Sequence, residues 1–302
     1  MNRRIGPWLV AAGAALWGTE NAWRVPLVKK LDPDVIVFWE HVGLVLLALP
    51  FVIPRLGELK RVSWKAIAWL LFSGAAGSAL GAVLFTTALD HGNITVNNVV
   101  LNVQPVLSTA FACLLFRDRL AKSFFPWAAL AVAAGVLLVW LQPGPTFVLS
   151  SGVVYALLTA LCWGLSTVAG RGVMVEMSLP LASGLRVIVG LVCMTILCGA
   201  RGLFGSGAMW PAAAAAETGA TIGQFVLLVT LSGGLPLVIY FEGLRRTRAS
   251  TAGYFEMMQT LAAVAITWGF FHAPLSALQV GAAVVLVAAV VMVQRAQASV
   301  GE

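Results

Sequence analysis

The chain has 302 residues, of which 60% are hydrophobic and 10% charged. Soluble domains carry about 25% charged residues, so a soluble globular fold is excluded and an integral membrane protein is indicated. The net charge of +7 does not point to a nucleic-acid partner, because the basic residues sit in short connections between apolar runs and form no single patch.

A helix that crosses the bilayer needs about 20 mostly apolar residues. Ten segments qualify: 8–28, 34–54, 66–89, 94–116, 124–142, 150–172, 180–200, 221–244, 249–271 and 275–293. Backbone groups in lipid must be hydrogen-bonded within the segment, so these are read as helices. The first follows Arg3-Arg4 and stays apolar to Leu27 without a cleavage site, which reads as a retained span and not a signal peptide. The third contains Gly74, Gly77 and Gly81. The fourth contains Pro105 and is polar toward its start, with Asn93, Asn97, Asn98, Asn102 and Gln104. The eighth carries Ser232, Gly233, Gly234 and Pro236, and the ninth Tyr254, Glu256, Met257, Met258 and Gln259. Cys113, Cys162, Cys193 and Cys198 lie inside apolar segments, as small hydrophobes, with no metal-ligand spacing.

With the N-terminus inside, fourteen Lys and Arg residues fall in or beside inner connections. Only Lys29, Lys30 and Arg201 fall outside, and Arg24 and Arg186 lie within spans. This positive-inside bias predicts cytoplasmic N- and C-termini.

Leu16-Trp17-Gly18 and Cys162-Trp163-Gly164 are 146 residues apart, each in the first span of a set of five. Further along, a shift of 155 carries Leu89 onto Leu244 and Gln104 onto Gln259. The difference of 9 residues fits the long connection 201–220. Five is an odd number of spans, so the second copy enters the membrane from the opposite side. The expected fold is all-α integral membrane, with ten transmembrane helices as two inverted five-helix repeats, 1–146 (spans 1–5) and 147–302 (spans 6–10).

These features together resemble a known group. Ten spans in two copies, a Trp-Gly pair early in each, and Ala88-Leu89 followed by Pro105 are similar to EamA-type members of the drug/metabolite transporter superfamily. Within it the chain most resembles the aromatic amino-acid exporter (YddG) subgroup. It departs from the family pattern at Asp118, where a Glu is common after the fourth helix, at Ala273 in the second copy, and at Thr260, which stands where the first copy has Pro105. The resemblance implies a secondary transporter that exports amino acids, including aromatic ones, and similar small metabolites across the inner membrane by alternating access. Nucleotide sugars and drugs are other cargoes of the same fold. A channel or an intramembrane enzyme is the competing class. No nucleophile motif, Walker-type Gly-Lys or metal cluster supports enzymatic chemistry. No cofactor and no metal is expected, the partners are a small-molecule substrate and the lipid bilayer, and nothing speaks to oligomeric state.

The candidate substrate-binding residues are Trp17, Trp163, Asn98, Asn102, Tyr240 and Tyr254. A mid-span indole offers a broad apolar face and one N–H donor, and the Asn amides offer donors and acceptors. Interhelical packing and hydrogen bonding are the structural alternative. Charged groups inside spans usually face protein or water, which makes Glu20, His41 and Glu256 candidates for gating or proton coupling. Arg24 and Glu242 read as structural ion pairs. Gly77, Gly81, Gly233, Gly234 and Pro236 are candidate hinges, because matched Gly/Pro interruptions in two halves mark the binding sites of transporters.

Overall fold

The computed structural model describes residues 5–92, 97, 100–140, 151–271 and 276–298. Among the described residues every regular element is a helix. Among the described residues five helical stretches are long and apolar enough to cross a bilayer: Pro33–Arg61, Trp64–His91, Ser151–Val173, Leu179–Ala200 and Thr218–Leu244. Gln104–Phe116, Phe124–Leu137 and Ala277–Val293 are shorter apolar helices.

The segments expected as spans one, three, four, eight and nine are interrupted helices. The first is Gly6–Trp17 followed by Asn21–Val28. Over the break, Thr19 N–H and Glu20 N–H reach back only three residues, to Leu16 and Trp17. The glycine-rich stretches of the third and eighth widen into π-helical turns, Ser73–Leu80 and Thr230–Gly234. A π-turn inserts an extra residue and frees carbonyls from the regular ladder. The shift of 155 carries residues 75–79 onto 230–234, so the two turns are repeat-related.

The fourth and ninth segments break at Asn102 and Met257, again 155 apart. In the fourth, Pro105 has no N–H to continue the ladder, and Val103 N–H bonds Val100 three residues back. The ninth has Thr260 in place of that proline and still breaks, with Met257 bonding Tyr254 and Thr260 bonding Met257. The Thr260 hydroxyl then donates to Asn102 Oδ1 at 3.0 Å, so the two breaks are tied to each other.

Helices pack across the copies in matching pairs. Gly6–Trp17 lies against Leu235–Leu244, and Ser151–Val173 lies against Gly81–His91. Pro33–Val52 packs on Leu179–Ala200, Gln104–Phe116 on Ala249–Glu256, and Phe124–Trp140 on Ala277–Ala298. Small residues permit the closest of these contacts. A Cβ at Gly243 would stand 2.7 Å from the Gly6 carbonyl oxygen.

Both ends of the Pro33–Val52/Leu179–Ala200 pair are clasped. At one end Asp32 caps its own helix by accepting from Asp34 N–H at 3.0 Å, and Asp32 and Asp34 both hold Arg201. At the other end Glu58 accepts from Ser178 N–H at 3.0 Å. Nearby, Glu176 accepts from both the N–H and the hydroxyl of Ser63, each at 2.7 Å. Those two donors hold the Glu176 carboxyl below the usual carboxylate range.

Candidate functional site

The paired copies enclose a central cavity with about 120 Å³ of open space. One water needs roughly 10–15 Å³ on this measure, so the cavity has room for a small organic solute. A smaller cleft beside it shares Trp17, Gln104, Glu256 and Gln259 with the cavity wall.

Two aromatic pairs line the cavity. Trp17 packs on Tyr240 with ring centroids 4.6 Å apart, and Trp163 packs on Phe85 at 5.2 Å. Shifts of 146 and 155 convert one pair into the other, since Trp17 corresponds to Trp163 and Phe85 to Tyr240. Each indole is followed by a glycine that lets the opposite copy approach: Gly18 meets Ala262 and Ala263, and Gly164 meets Leu107 and Ser108, the positions related to them by 155. The Trp163 Nε1–H donates to the carbonyl of Gly77, within the π-turn, at 3.2 Å.

The ionisable groups form two networks of different kinds. In the first, Arg24 is 2% exposed and bridges Glu40, at 2.9 Å to both carboxylate oxygens, and Glu20, at 3.2 Å. Its other terminal nitrogen donates to Thr86 Oγ1 at 2.9 Å. Two carboxylates thus share one guanidinium, a geometry that compensates the desolvation of all three. His41 lies next to this group, with Nδ1 2.8 Å from the Val37 carbonyl and Nε2 2.9 Å from Ser78 Oγ.

In the second network Glu256 is held by neutral donors. The Tyr240 hydroxyl donates to Glu256 Oε1 at 2.8 Å, Thr167 Oγ1 donates to the same oxygen at 3.1 Å, and the Gln104 amide donates to Oε2. Arg186 stands across the cavity wall. Its Nε–H donates to Ser73 Oγ at 3.1 Å, one Nη–H reaches Ser166 Oγ at 3.4 Å, and its guanidinium lies 5.5 Å from the centre of the Phe241 ring. Gly77 makes room for this arrangement, since a side chain there would run into Ser166 and Arg186.

The structure therefore brings Trp17, Trp163, Tyr240, Glu20, His41, Glu256, Gly77 and Gly233 to one cavity wall. Asn102 lines the neighbouring cleft and is engaged by Thr260. Tyr254 is 3% exposed and sits edge-on against Phe124, 5.4 Å between centroids, within the hydrophobic core. Gly81 closes the first π-turn beneath the Trp163 indole. Gly234 ends the second π-turn, and Pro236 lies in the first turn of the helix that follows. Asn98 lies outside the described residues. Arg24 and Glu242 are ion-paired, Glu242 with Arg245 and Arg246.

Cavity residues that the sequence did not single out as binding groups include Phe85, Glu40, Ser166, Thr167, Phe241 and Arg186. The repeat contained the signal for two of them. A shift of 155 back from Tyr240 lands on Phe85, and a shift of 146 forward from Glu40 lands on Arg186.

Comparison with known proteins agrees with this architecture. The fold superposes on a solved crystal structure with a TM-score of 0.74 and 16% identity, covering 100% of both chains. A relative from Fusobacterium nucleatum subsp. nucleatum, the riboflavin transporter ImpX, is 24% identical over 307 residues, spanning 97% of this chain and 99% of its own. The EamA-like transporter family model matches twice, at residues 4–141 and 150–295. The chain belongs to the EamA-like transporter family, a multi-pass transporter of the inner membrane and not an enzyme.

Proposed function

We propose that this protein is a secondary carrier that moves small aromatic metabolites, aromatic amino acids among them, outward by alternating access. Ten spans form two inverted units, 1–146 and 147–302, with both termini cytoplasmic. The observation that carries the reading is the pair of repeat-related aromatic contacts, Trp17 with Tyr240 and Trp163 with Phe85, on the wall of one cavity. A flat solute held between such faces keeps equivalent contacts when the two units exchange roles. The π-turns at Gly77, Gly81, Gly233 and Gly234, with Pro236 beside the second, are the hinges, because irregular turns absorb bending that a regular helix resists. Asn102 supplies hydrogen bonds at the cleft, Asn98, outside the described residues, is the other amide assigned to the substrate, and Tyr254 supports the site from the core. Glu20, His41 and Glu256 are the groups through which gating or proton coupling runs.

The test is counterflow in liposomes with labelled aromatic amino acids. Saturable exchange is expected. Trp17→Ala and Trp163→Ala should each weaken half-saturation about 3- to 10-fold, the worth of an aromatic contact of ~0.5–1.5 kcal/mol. Native flux in both folded variants overturns the cavity assignment. Topology is tested by Gly205→Cys in a background with the native cysteines replaced; labelling from the cytoplasm alone reverses the orientation.

A second reading is flavin transport. It is favoured by the full-length relative named a riboflavin transporter and by the neutral amides Gln104 and Gln259 on the cavity wall, which suit the edge of a flavin ring. Labelled riboflavin belongs in the same counterflow panel, and exchange of riboflavin without exchange of amino acids selects this reading.

A further inference from the structure

We infer that Arg186 is the substrate's anion receptor, and that the cavity recognises aromatic carboxylates whether or not they carry an amino group. The inference rests on the aromatic-metabolite reading above and specifies which polar group of the cargo is read.

Each charged group on the cavity wall differs in what already holds it. Glu20 and Glu40 are engaged by Arg24. Glu256 is 8% exposed and receives three neutral donors from Tyr240, Thr167 and Gln104. Three donors fill most of that carboxylate's roughly four lone-pair sites, which leaves little of it for a substrate ammonium. Arg186 is the opposite case. It takes part in no ion pair among the described residues. A guanidinium has five N–H donors, and only two of those on Arg186 are used, both by serine hydroxyls.

The surroundings also fix the orientation of Arg186. Ser73 and Ser166 hold one edge of the guanidinium, the Phe241 ring lies against its face, and the glycine at 77 leaves space beside it. Three N–H groups remain with no protein acceptor among the described residues. A half-buried cation with free, oriented donors facing a cavity is well placed to take an anion. The planar fork matches the two oxygens of a carboxylate. The aromatic pairs on the same wall take the flat part of the molecule. Phenylpyruvate therefore fulfils the same requirement as phenylalanine, and phenylethylamine does not.

The experiment measures competition against labelled L-phenylalanine counterflow in liposomes holding the full chain. Phenylpyruvate should compete within about threefold of phenylalanine. Phenylethylamine and phenylalaninamide should be weaker by about 10- to 100-fold, the value of charge-assisted hydrogen bonds. Arg186→Gln should erase that difference, and Arg186→Lys should keep part of it. Binding of neutral 2-phenylethanol, followed by tryptophan fluorescence, reports whether the cavity is intact in each variant. The inference is overturned if the amine or the amide competes as well as the acid in the native protein, or if Arg186→Gln keeps the preference while binding 2-phenylethanol normally. If Arg186→Gln does not fold, the competitor series on the native protein decides alone. Saturable exchange of aromatic solutes with no preference for acids removes only the anion receptor. Absence of exchange for every aromatic solute removes the parent reading and this inference with it.

Discussion

Glu40 and Arg186 occupy equivalent positions in the two copies, 146 residues apart, and both face the same cavity. Around them the backbone is nearly the same: a cross-packed helix pair, a π-turn and a Trp on a neighbouring aromatic ring. Their charges are opposite, and so are their surroundings. Glu40 belongs to a closed group with Arg24 and Glu20, while Arg186 hydrogen-bonds only serine hydroxyls through its guanidinium among the described residues, lies against an aromatic ring, and has Glu256 close enough to act on its charge without an ion pair. The duplicated frame gives the cavity two repeat-related aromatic contacts. The unequal charges make that cavity chemically asymmetric.

The largest effect should come from the closed group. Arg24→Gln leaves Glu20 and Glu40 buried without their cation, a loss of about 3–5 kcal/mol for a broken buried pair. Thermal unfolding in detergent should show a clearly lowered midpoint for Arg24→Gln and a much smaller change for Arg186→Gln, which breaks no ion pair. Equal losses at the two positions would make Arg186 a structural ion and end the contrast between the two walls.

The next effect distinguishes the two π-turns. A Cβ at Gly77 meets Ser166 and stands 3.0 Å from the Arg186 guanidinium, whereas at Gly233 the nearest neighbour is the flexible end of Leu44, at 2.8 Å. Overpacking costs about 1–3 kcal/mol where neighbours cannot move. Gly77→Ala should therefore lower both stability and transport rate, and Gly233→Ala should do so less. The reverse order would mean that the second turn is the tighter one and that Gly77 does not define the slot for Arg186.

Much of this layout was legible in the chain itself, for physical reasons. Duplication and apolar character follow from hydropathy and from two sequence shifts, and the family match over residues 4–141 and 150–295 agrees with the duplication. Gly74, Gly77 and Gly81 announced an irregular helix because glycine loosens a helix interior. Sequence did not reveal the break at Met257, which has no proline and sits beside the Thr260 hydroxyl's bond across to Asn102. Pairing was equally hidden. The i, i+4 spacing of Glu20 and Arg24 was visible, but Glu40 joins them from another helix. Tyr254 and Tyr240 look alike as isolated letters in apolar spans. Only packing sends one against Phe124 in the core and the other to the cavity beside Trp17.

The smallest effect tests the one chemical difference between the aromatic pairs, the Tyr240 hydroxyl. Tyr240→Phe makes the Trp17 pair resemble the Trp163 pair and removes one of three donors to Glu256, while Thr167 and Gln104 remain. A single hydrogen bond contributes about 0.5–1.5 kcal/mol, so half-saturation or stability should change by no more than about tenfold or its equivalent. The opposite exchange, Phe85→Tyr, should be worse. Phe85 is 2% exposed, and Arg24 lies over its ring at 5.9 Å. A phenol there adds a hydroxyl to a ring already packed between the Trp163 indole and the Arg24 guanidinium, neither of which offers it an acceptor. An unsatisfied buried hydroxyl costs about 1–3 kcal/mol. Measured side by side, Tyr240→Phe should fold and transport nearly as the native chain does, and Phe85→Tyr should be the less stable. If Phe85→Tyr is the milder change, the Trp163 wall has polar capacity to spare, and the division into a hydrogen-bonded wall and an apolar one fails.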